Sequence, residues 1–257
     1  YLTMKYVQMI FSPTGGTSKV SNIITQQWSS TVETIDLTNP EDDFSKYTFQ
    51  EDDVVLIALP SYGGRVPNIA AERIKCMQGN HARCVLVCVY GNRDYEDTLV
   101  EMEDITKQCE FSTIAAISAV AEHSIMHQYA TGRPDIQDSK KLRSYAKSIM
   151  TKLQTAQQVN ELHIPGNRPY KKVSAVGLVP KADKNCVNCG LCATKCPVSA
   201  INKENLKTAD KTKCISCMRC VNNCLHSARK VNSAMVSIAS LAIKKACTVR
   251  KECELFI

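Results

Sequence analysis

Two cysteine runs constrain this chain more than any other feature of its sequence. The segments CVNCGLCATKCP, from Cys186, and CISCMRCVNNCL, from Cys214, both have the spacing C-x₂-C-x₂-C-x₃-C. All four cysteines recur at an offset of 28 residues, and so does the Ser-Ala pair that follows each run. Duplication of one 28-residue unit is the simplest explanation. The copies depart from each other where the first run ends in Cys-Pro and the second in Cys224-Leu225.

This spacing predicts ligands of iron–sulfur clusters. Three cysteines on one tight loop can hold three corners of a cubane, and the fourth corner must be reached from elsewhere. The runs resemble those of two-cluster bacterial ferredoxins, in which the fourth cysteine of each run serves the other cluster. The resemblance assigns one [4Fe–4S] cluster to Cys186, Cys189, Cys192 and Cys224, and a second to Cys214, Cys217, Cys220 and Cys196. Zinc is the main alternative, but a zinc site built from C-x-x-C pairs leaves the third cysteine unexplained.

The cysteine count also bears on the compartment. Fourteen cysteines in 257 residues favour metal binding over disulfides if the compartment is reducing. The first residues have no signal-peptide pattern, and no window approaches twenty uninterrupted apolar residues. We therefore expect a cytoplasmic protein without a membrane span.

The region up to residue 161 alternates between apolar runs and helical patterns. The alternation predicts a doubly wound parallel α/β sheet of five strands with crossover helices. In such sheets the ligand lies beyond the carboxyl ends of the strands. The predicted strands are 5–11, 31–37, 53–60, 82–90 and 111–120, and the predicted helices are 16–28, 68–77, 95–107 and 135–156.

Three segments follow strands at this edge. In SPTGGTS, residues 12–18, short hydroxyls and glycines open a helix and suit a phosphate. The segment is neither a P-loop, because Lys19 follows a serine instead of preceding one, nor a dinucleotide fingerprint, because the third glycine is missing. PSYGGRVP and VYGNRDY, residues 60–67 and 89–95, each place tyrosine beside glycine, which suits a planar ligand. Taken singly, a capped helix and two ordinary turns explain them equally well.

Together, the three segments resemble the loops of flavodoxin-type domains over residues 4–157. The resemblance implies bound FMN, and it leaves open which tyrosine stacks on the flavin. Arg65 or Arg93, if near the ring, would favour an anionic reduced flavin. The implied phosphate contacts are Ser12, Thr14, Gly15, Gly16, Thr17 and Ser18, and the implied flavin contacts are Pro60, Ser61, Tyr62, Gly63, Gly64, Tyr90, Gly91, Asn92, Arg93 and Tyr95.

The whole chain thus resembles fusions of a flavodoxin-like domain with a two-cluster ferredoxin domain. The expected fold is a flavodoxin-like, five-stranded doubly wound sheet followed by a small α+β ferredoxin domain. We divide the chain into a flavodoxin-like domain (1–161), a linker (162–180), a ferredoxin domain (181–233) and a C-terminal helix and tail (234–257). The linker is expected to be a tether or a strap along the first domain, and the tail could pack on either domain.

The implied function is electron transfer between two [4Fe–4S] clusters and FMN. The alternatives are a flavin-dependent oxidoreductase acting on a small molecule, and a redox sensor. Residues 1–161 carry 15 Lys and Arg against 20 Asp and Glu, whereas residues 162–257 carry 17 against 5. Cluster and phosphate charge would offset most of the excess, so we expect a redox protein as partner, either an acidic ferredoxin or a ferredoxin-dependent oxidoreductase, rather than nucleic acid.

His123 lies in EHSIMHQYATGRPD, after the fifth predicted strand. A histidine here could move a proton at the flavin edge, or it could hold the loop through a structural hydrogen bond. The sequence leaves both interpretations open.

Overall fold

The computed structural model describes residues 4–155, 162–173 and 177–257, so the predicted domain boundary at residue 161 lies outside the described residues. Its main feature is a six-stranded sheet with helices on both faces. The strands of this sheet are β1 (Tyr6–Ile10), β2 (Glu33–Asp36), β3 (Val54–Pro60), β4 (Arg83–Tyr90), β5 (Ser112–Val120) and β8 (Glu254–Phe256). The helices around it are α1 (Gly16–Thr25), α2 (Asn68–Ile74), α3 (Thr98–Gln108) and α4 (Ile136–Gln154).

The strand order confirms the predicted fold class. It runs β2-β1-β3-β4-β5, all parallel, which is the flavodoxin-like doubly wound order. β3 and β4 read as nearly continuous apolar runs because helices cover both faces of the sheet. Helices α1 and α4 contribute to one apolar core, and α2 and α3 contribute to the other. Trp28 is buried as expected for a core residue, and its indole N–H donates to the carbonyl of Ala146 at 3.1 Å.

All five predicted parallel strands are present, and the sheet has a sixth strand that the sequence did not predict. β8 adds a sixth strand, antiparallel to β5, with Leu255 opposite Ile117. Its side chains alternate, so that Leu255 packs against one core and Phe256 against the other. A three-residue strand gives too short a pattern to be recognised, and its partner lies more than 130 residues earlier. It covers the edge of β5, which would otherwise present unpaired backbone groups.

The linker forms a strap along α3 over its described part. Asp97, which is 1% exposed, accepts hydrogen bonds from the backbone N–H groups of Asn167 and Lys171 at 2.8 and 2.6 Å. The Arg168 guanidinium pairs with Asp104, whose carboxylate also accepts from the hydroxyl of Tyr170. The sequence allows a free tether or a strap along the first domain, and residues 162–173 form a strap.

The cysteine region folds as two copies of one backbone unit. It contains the ribbon of β6 (Lys181–Ala182) and β7 (Arg229–Lys230) and the short helices α5 (Leu191–Thr194) and α6 (Arg219–Asn222). Positive φ angles recur at the 28-residue offset in three pairs of residues: Asn188 and Ser216, Gly190 and Met218, and Ser199 and Ser227. The repeat in the sequence is therefore a repeat in the structure.

The chain then returns to the first domain through α7 (Ser233–Cys247) and the segment before β8. Asn92, which is 4% exposed, holds this segment. Its side-chain amide donates to the carbonyls of Cys247 and Val249 at 2.8 and 2.9 Å, and its oxygen accepts from the backbone N–H of Lys251 at 2.9 Å. Within the described parts of the chain, no helix is long and apolar enough to cross a membrane.

Replacing Asn92 with glycine should loosen the C-terminal segment. Asn92 has a φ of 66°, which glycine adopts without strain, so Asn92→Gly removes the side chain alone. One buried and one partly buried carbonyl then lose their donor, and we expect a loss of about 2 kcal/mol in the free energy of unfolding. Urea unfolding measures that loss, and amide hydrogen exchange in residues 254–256 should become faster.

Glu110→Gly is the matched control, because Glu110 also has a positive φ but is exposed. We expect this variant to be as stable as the wild type or slightly more so. Equal stability of Asn92→Gly and the wild type would contradict the role given to Asn92.

Candidate cofactor and cluster sites

The first candidate site lies at the carboxyl ends of β1 and β3. β1 leads to α1 on one face of the sheet and β3 leads to α2 on the other, which makes this point the topological switch. Gly15 precedes α1 with a φ of 95°, and no described atom lies within 4 Å of the Cβ that another residue would add. The Ser12 hydroxyl accepts from the backbone N–H of Ser18 at 2.9 Å. The loop is thus open, preorganised and free of acidic residues in the first helical turn.

The second predicted loop is a tight hairpin turn. The backbones of Tyr62 and Arg65 hydrogen-bond to each other, with the N–H of Tyr62 donating at 2.9 Å. Gly63 and Gly64 between them have φ values of 64° and 84°, which a type I′ turn requires. The geometry of this turn therefore explains why both positions are glycine.

Two predicted flavin-contact glycines face other side chains. A Cβ on Gly64 would meet the carboxylate of Glu96 at 1.9 Å, and one on Gly91 would meet the ring of His123 at 2.7 Å. The close approach that the sequence predicts at these glycines does occur, but the approaching groups belong to the chain itself. This distinction depends on distant residues that no local motif reveals.

The three candidate tyrosines lie in two different places. Tyr90 and Tyr95 pack edge to face, with ring centroids 5.2 Å apart. They line a cavity of about 450 Å³ that also includes Pro165, Lys251 and Glu254. Tyr62 lies apart from this cavity in the loop after β3, and burial first and the charge of Cys217 second raise the pKa of its phenol.

Arg65 and Arg93 are already paired with carboxylates. The Arg65 guanidinium makes two hydrogen bonds to Glu101, at 2.7 and 2.8 Å, and Arg93 pairs with Glu96 at 2.9 Å. Neither arginine supplies an uncompensated positive charge to a bound flavin. Asn92 is also predicted to contact the flavin, but its side-chain amide donates hydrogen bonds to the C-terminal segment.

Four of the predicted cluster ligands line one small cavity. Cys196, from the first run, lies with Cys214, Cys217 and Cys220 of the second, and the rest of the lining is mostly apolar. Burial raises the pKa of Cys217 to about 12 and that of Cys220 to about 11. Among the described residues, no three Cys, His, Asp or Glu side chains are placed to share a single metal ion. We call these four cysteines set two, and Cys186, Cys189, Cys192 and Cys224 set one.

A buried arginine lies between the two sets. Arg229 is 2% exposed, and its Nη1 lies 3.6 Å from the sulfur of Cys192 in set one. Its positive charge also opposes the burial that raises the pKa of Cys214 and Cys220 in set two. The guanidinium donates to the carbonyls of Leu206 and Pro180, whereas its buried Nε has no partner among the described residues. A permanent buried cation with an unused donor fits an anionic group between the sets.

Set two lies against the first domain. The Arg73 guanidinium, which is 8% exposed, donates to the carbonyls of Leu37 at 2.5 Å and Pro197 at 2.7 Å. Ile215, which follows Cys214, packs against the apolar core shared with α2 and α3. Arg219 lies 3.8 Å from the carboxylate of Asp36, the last residue of β2. The predicted flavin edge and the second cysteine run are therefore neighbours.

His123 holds the loop that follows β5. Its Nδ1 accepts from the backbone N–H groups of Ile125 and Met126, both at 3.2 Å. Burial, followed by the nearby charges of His127 and Arg93, lowers the pKa of His123 to about 4. These contacts agree with the interpretation that His123 holds the loop through structural hydrogen bonds. A neutral ring accepts them at Nδ1.

Sequence reasoning missed three residues of these sites. Arg229 occupies the repeat position of Ile201, and Met218 occupies that of Gly190 in spite of a φ of 60°. A comparison of the two copies position by position would have found both. Arg73 carries no local signal, because its partners follow β2 and the first cysteine run.

The family model of the 4Fe-4S dicluster domain matches residues 166–229. None of the curated proteins compared with the chain matches it. With the strand order of the first domain, the match shows that the chain joins a flavodoxin-like domain to a 4Fe-4S dicluster domain. The chain therefore combines a flavodoxin-like fold with a region similar to the 4Fe-4S dicluster domain.

Solved structures that resemble the chain include several flavodoxins. The Streptococcus pneumonia TIGR4 flavodoxin is 16% identical and covers 58% of this chain and 98% of its own, with a TM-score of 0.42. A short-chain flavodoxin associated with a non-canonical PDU bacterial microcompartment is 14% identical and covers 59% and 99%, with a TM-score of 0.42. Flavodoxin 1 from Bacillus cereus is 10% identical and covers 57% and 97%, with a TM-score of 0.40.

The environment of His123 predicts a dependence of stability on pH. Its folded-state pKa of about 4 lies below the unfolded value of about 6.5, so the unfolded chain binds the proton first as pH falls. The stabilising contribution is complete above pH ~6.5 and is lost between pH ~6.5 and ~4. His123→Asn keeps an acceptor but cannot titrate. We expect its thermal midpoint to fall less than that of the wild type between pH 7 and pH 5.

His163→Asn, at an exposed position in the strap, is the matched control and should retain the wild-type dependence. An identical fall in the wild type and His123→Asn would show that His123 does not titrate in this range.

Proposed function

We propose that this protein relays low-potential electrons between two [4Fe–4S] clusters and FMN bound in the same chain. Set one and set two each hold one cluster in this proposal. The switch-point loops hold FMN, with residues 12–18 at its phosphate and Tyr62 at its ring. When bound, the clusters exchange single electrons and the flavin accepts one or two.

The proposal is carried by the docking of the cysteine region on the first domain. Arg73 donates to the carbonyl of Pro197, and Ile215 packs against the apolar core shared with α2 and α3. Arg219 lies 3.8 Å from Asp36 at the carboxyl end of β2. In the flavodoxin-like order, the ligand lies at the switch point between β1 and β3, at the same edge of the sheet. An electron can then pass between the two sites without leaving the protein.

The chain's own residues fit both groups. The N-terminus of α1 offers backbone N–H groups, and the hydroxyls of Thr14 and Thr17 flank the left-handed Gly15. Around the cysteines, Ala200 and Ala228 donate backbone N–H groups to the sulfurs of Cys196 and Cys224, both at 3.3 Å. Such donors stabilise thiolate charge, and Arg229 adds a permanent positive charge between the sets.

A cavity beside set two favours a second candidate function, a flavin-dependent oxidoreductase with a small-molecule substrate. The cavity has a volume of about 670 Å³ and lies between residues 124–128, α6 and α7. Ser124 and Gln128 provide polar lining, and Met218 and Val221 provide apolar lining. Rapid turnover of one compound among NAD(P)H, quinones and related acceptors would favour this candidate over a relay.

Removing one ligand of set two should interrupt the relay. In anaerobically reconstituted Cys217→Ser, we expect loss of one cluster signal in the EPR spectrum and at least tenfold slower flavin reduction by a reduced ferredoxin. Iron, sulfide and flavin analysis measures what each preparation holds. Cys76→Ser is the matched control, because Cys76 is exposed and lies outside both runs. Absence of flavin from the reconstituted wild type, or an unchanged rate in Cys217→Ser, would contradict the proposal.

Arg229 should raise the reduction potential of the clusters. Arg229→Ile restores the residue found in the other copy and removes a buried positive charge that favours the more negative, reduced state. We expect at least a tenfold shift toward the oxidised state, about 59 mV for one electron. EPR-monitored redox titration measures the shift. Arg229→Lys keeps the charge and should retain most of the wild-type potential, and equal potentials in all three proteins would contradict the role of Arg229.

A further inference from the structure

The 28-residue repeat gives the cysteine region two equivalent surfaces. Each surface contains the residue after the first cysteine of one run and the residue after the fourth cysteine of the other. Around set two these residues are Ile215 and Pro197, and around set one they are Val187 and Leu225. The backbone is equivalent at both, because the positive φ angles and the N–H to sulfur bonds recur in each copy.

The surface around set two is already an interface. Ile215 packs against the apolar core of the first domain, and the carbonyl of Pro197 accepts a hydrogen bond from Arg73. Pro197 is buried and Ile215 is partly buried. One of the two equivalent surfaces therefore docks on the domain with which its cluster would exchange electrons.

The equivalent residues around set one are exposed to solvent. Val187 is 56% exposed, and Leu225 is 85% exposed, the highest value among the large apolar residues of the described chain. The Cys189 thiol beside them is also exposed. Val187 and Leu225 thus expose apolar surface next to proposed cluster ligands, and the equivalent pair, Ile215 and Pro197, forms an interface. Such an exposed apolar pair is typical of a second docking surface.

The charge around set one is positive. Lys181, Lys184 and Lys230 are all exposed, and Asp183 pairs with Lys230 at 2.9 Å. Residues 177–233 carry ten Lys and Arg against three Asp and Glu. An apolar centre with a basic rim is complementary to an acidic protein surface and would increase the rate of encounter with it.

We propose that Val187, Leu225, Lys184 and Lys230 form the surface on which a small acidic one-electron carrier protein docks; we call it the set-one face. This inference rests on the proposed relay. Each reduced carrier would lose one electron to the cluster that the cysteines of set one would hold, and the cluster held by set two would carry it on to the bound flavin. Two carriers thus supply the two electrons of full flavin reduction, and solvent supplies the protons. A second copy of this chain is a poorer occupant, because two basic faces repel.

The test uses the reconstituted holoprotein with a reduced acidic ferredoxin that holds a single cluster, and so carries one electron, as the probe. Stopped-flow absorbance gives the second-order rate constant of flavin reduction under anaerobic conditions. We expect at least a tenfold lower rate constant in Leu225→Glu and in Val187→Glu, and a wild-type rate constant that falls as salt concentration rises. Ile238→Glu is the matched control, because Ile238 on α7 is 70% exposed and lies away from set one in the chain. It should keep the wild-type rate constant.

Dithionite, a small reductant, separates failure of docking from failure of the relay. It should reduce the flavin of the wild type and of both face variants at equal rates, and iron content and EPR signals should be unchanged. If ferredoxin reduces the wild-type flavin no faster than that of Cys217→Ser, the relay itself is wrong. If the wild type is reduced at least tenfold faster than Cys217→Ser, but Leu225→Glu and Val187→Glu are reduced as fast as the wild type, the docking proposal is wrong. A wild-type dimer that Leu225→Glu dissociates on size-exclusion chromatography would likewise overturn it in favour of self-association.

Discussion

The arrangement of the whole molecule depends on the buried guanidinium of Arg73. It donates to the carbonyl of Leu37, just after β2, and to that of Pro197, just after the first cysteine run. A buried cation needs such acceptors, and each buried carbonyl needs a donor, so the three groups hold one another in place. The contact keeps set two against the carboxyl edge of the sheet, where the flavodoxin-like fold binds its ligand. Without that fixed arrangement, two electron-transfer sites in one chain would have no defined distance between them.

The return of the chain to the sheet adds a second constraint. Residues 247–256 reach β5 again through Asn92 and β8, so the cysteine region is attached to the first domain at both of its ends. The strap over α3 provides the attachment on the N-terminal side. A region attached at both ends loses little further entropy when it docks, which helps weak contacts such as Arg219 with Asp36 to persist.

The sequence predicted the features that depend on local patterns. Apolar runs and helical periodicity identified the five parallel strands and four helices, and cysteine spacing identified the duplicated unit. Features that join distant residues were missed: β8, the role of Asn92, and the Arg73 bridge each link positions more than 100 residues apart. The glycines at 64 and 91 show the same limit, because a close approach is local in sequence but the group that approaches is not.

The two copies of the cysteine unit share a backbone, but their side chains differ at positions that affect the surroundings of each cysteine set. Met218 keeps the left-handed backbone of Gly190 at a cost of about 1–2 kcal/mol, and its buried side chain lines cavities beside set two. Arg229 replaces an isoleucine and brings charge to the boundary between the sets. Pro197 and Leu225, at equivalent positions, lie respectively inside an interface and in solvent. Since the backbone is shared, side chains distinguish the surface around set two, which docks on the first domain, from the set-one face, which is exposed. In a relay, the first surface faces the flavin and the second faces the partner protein.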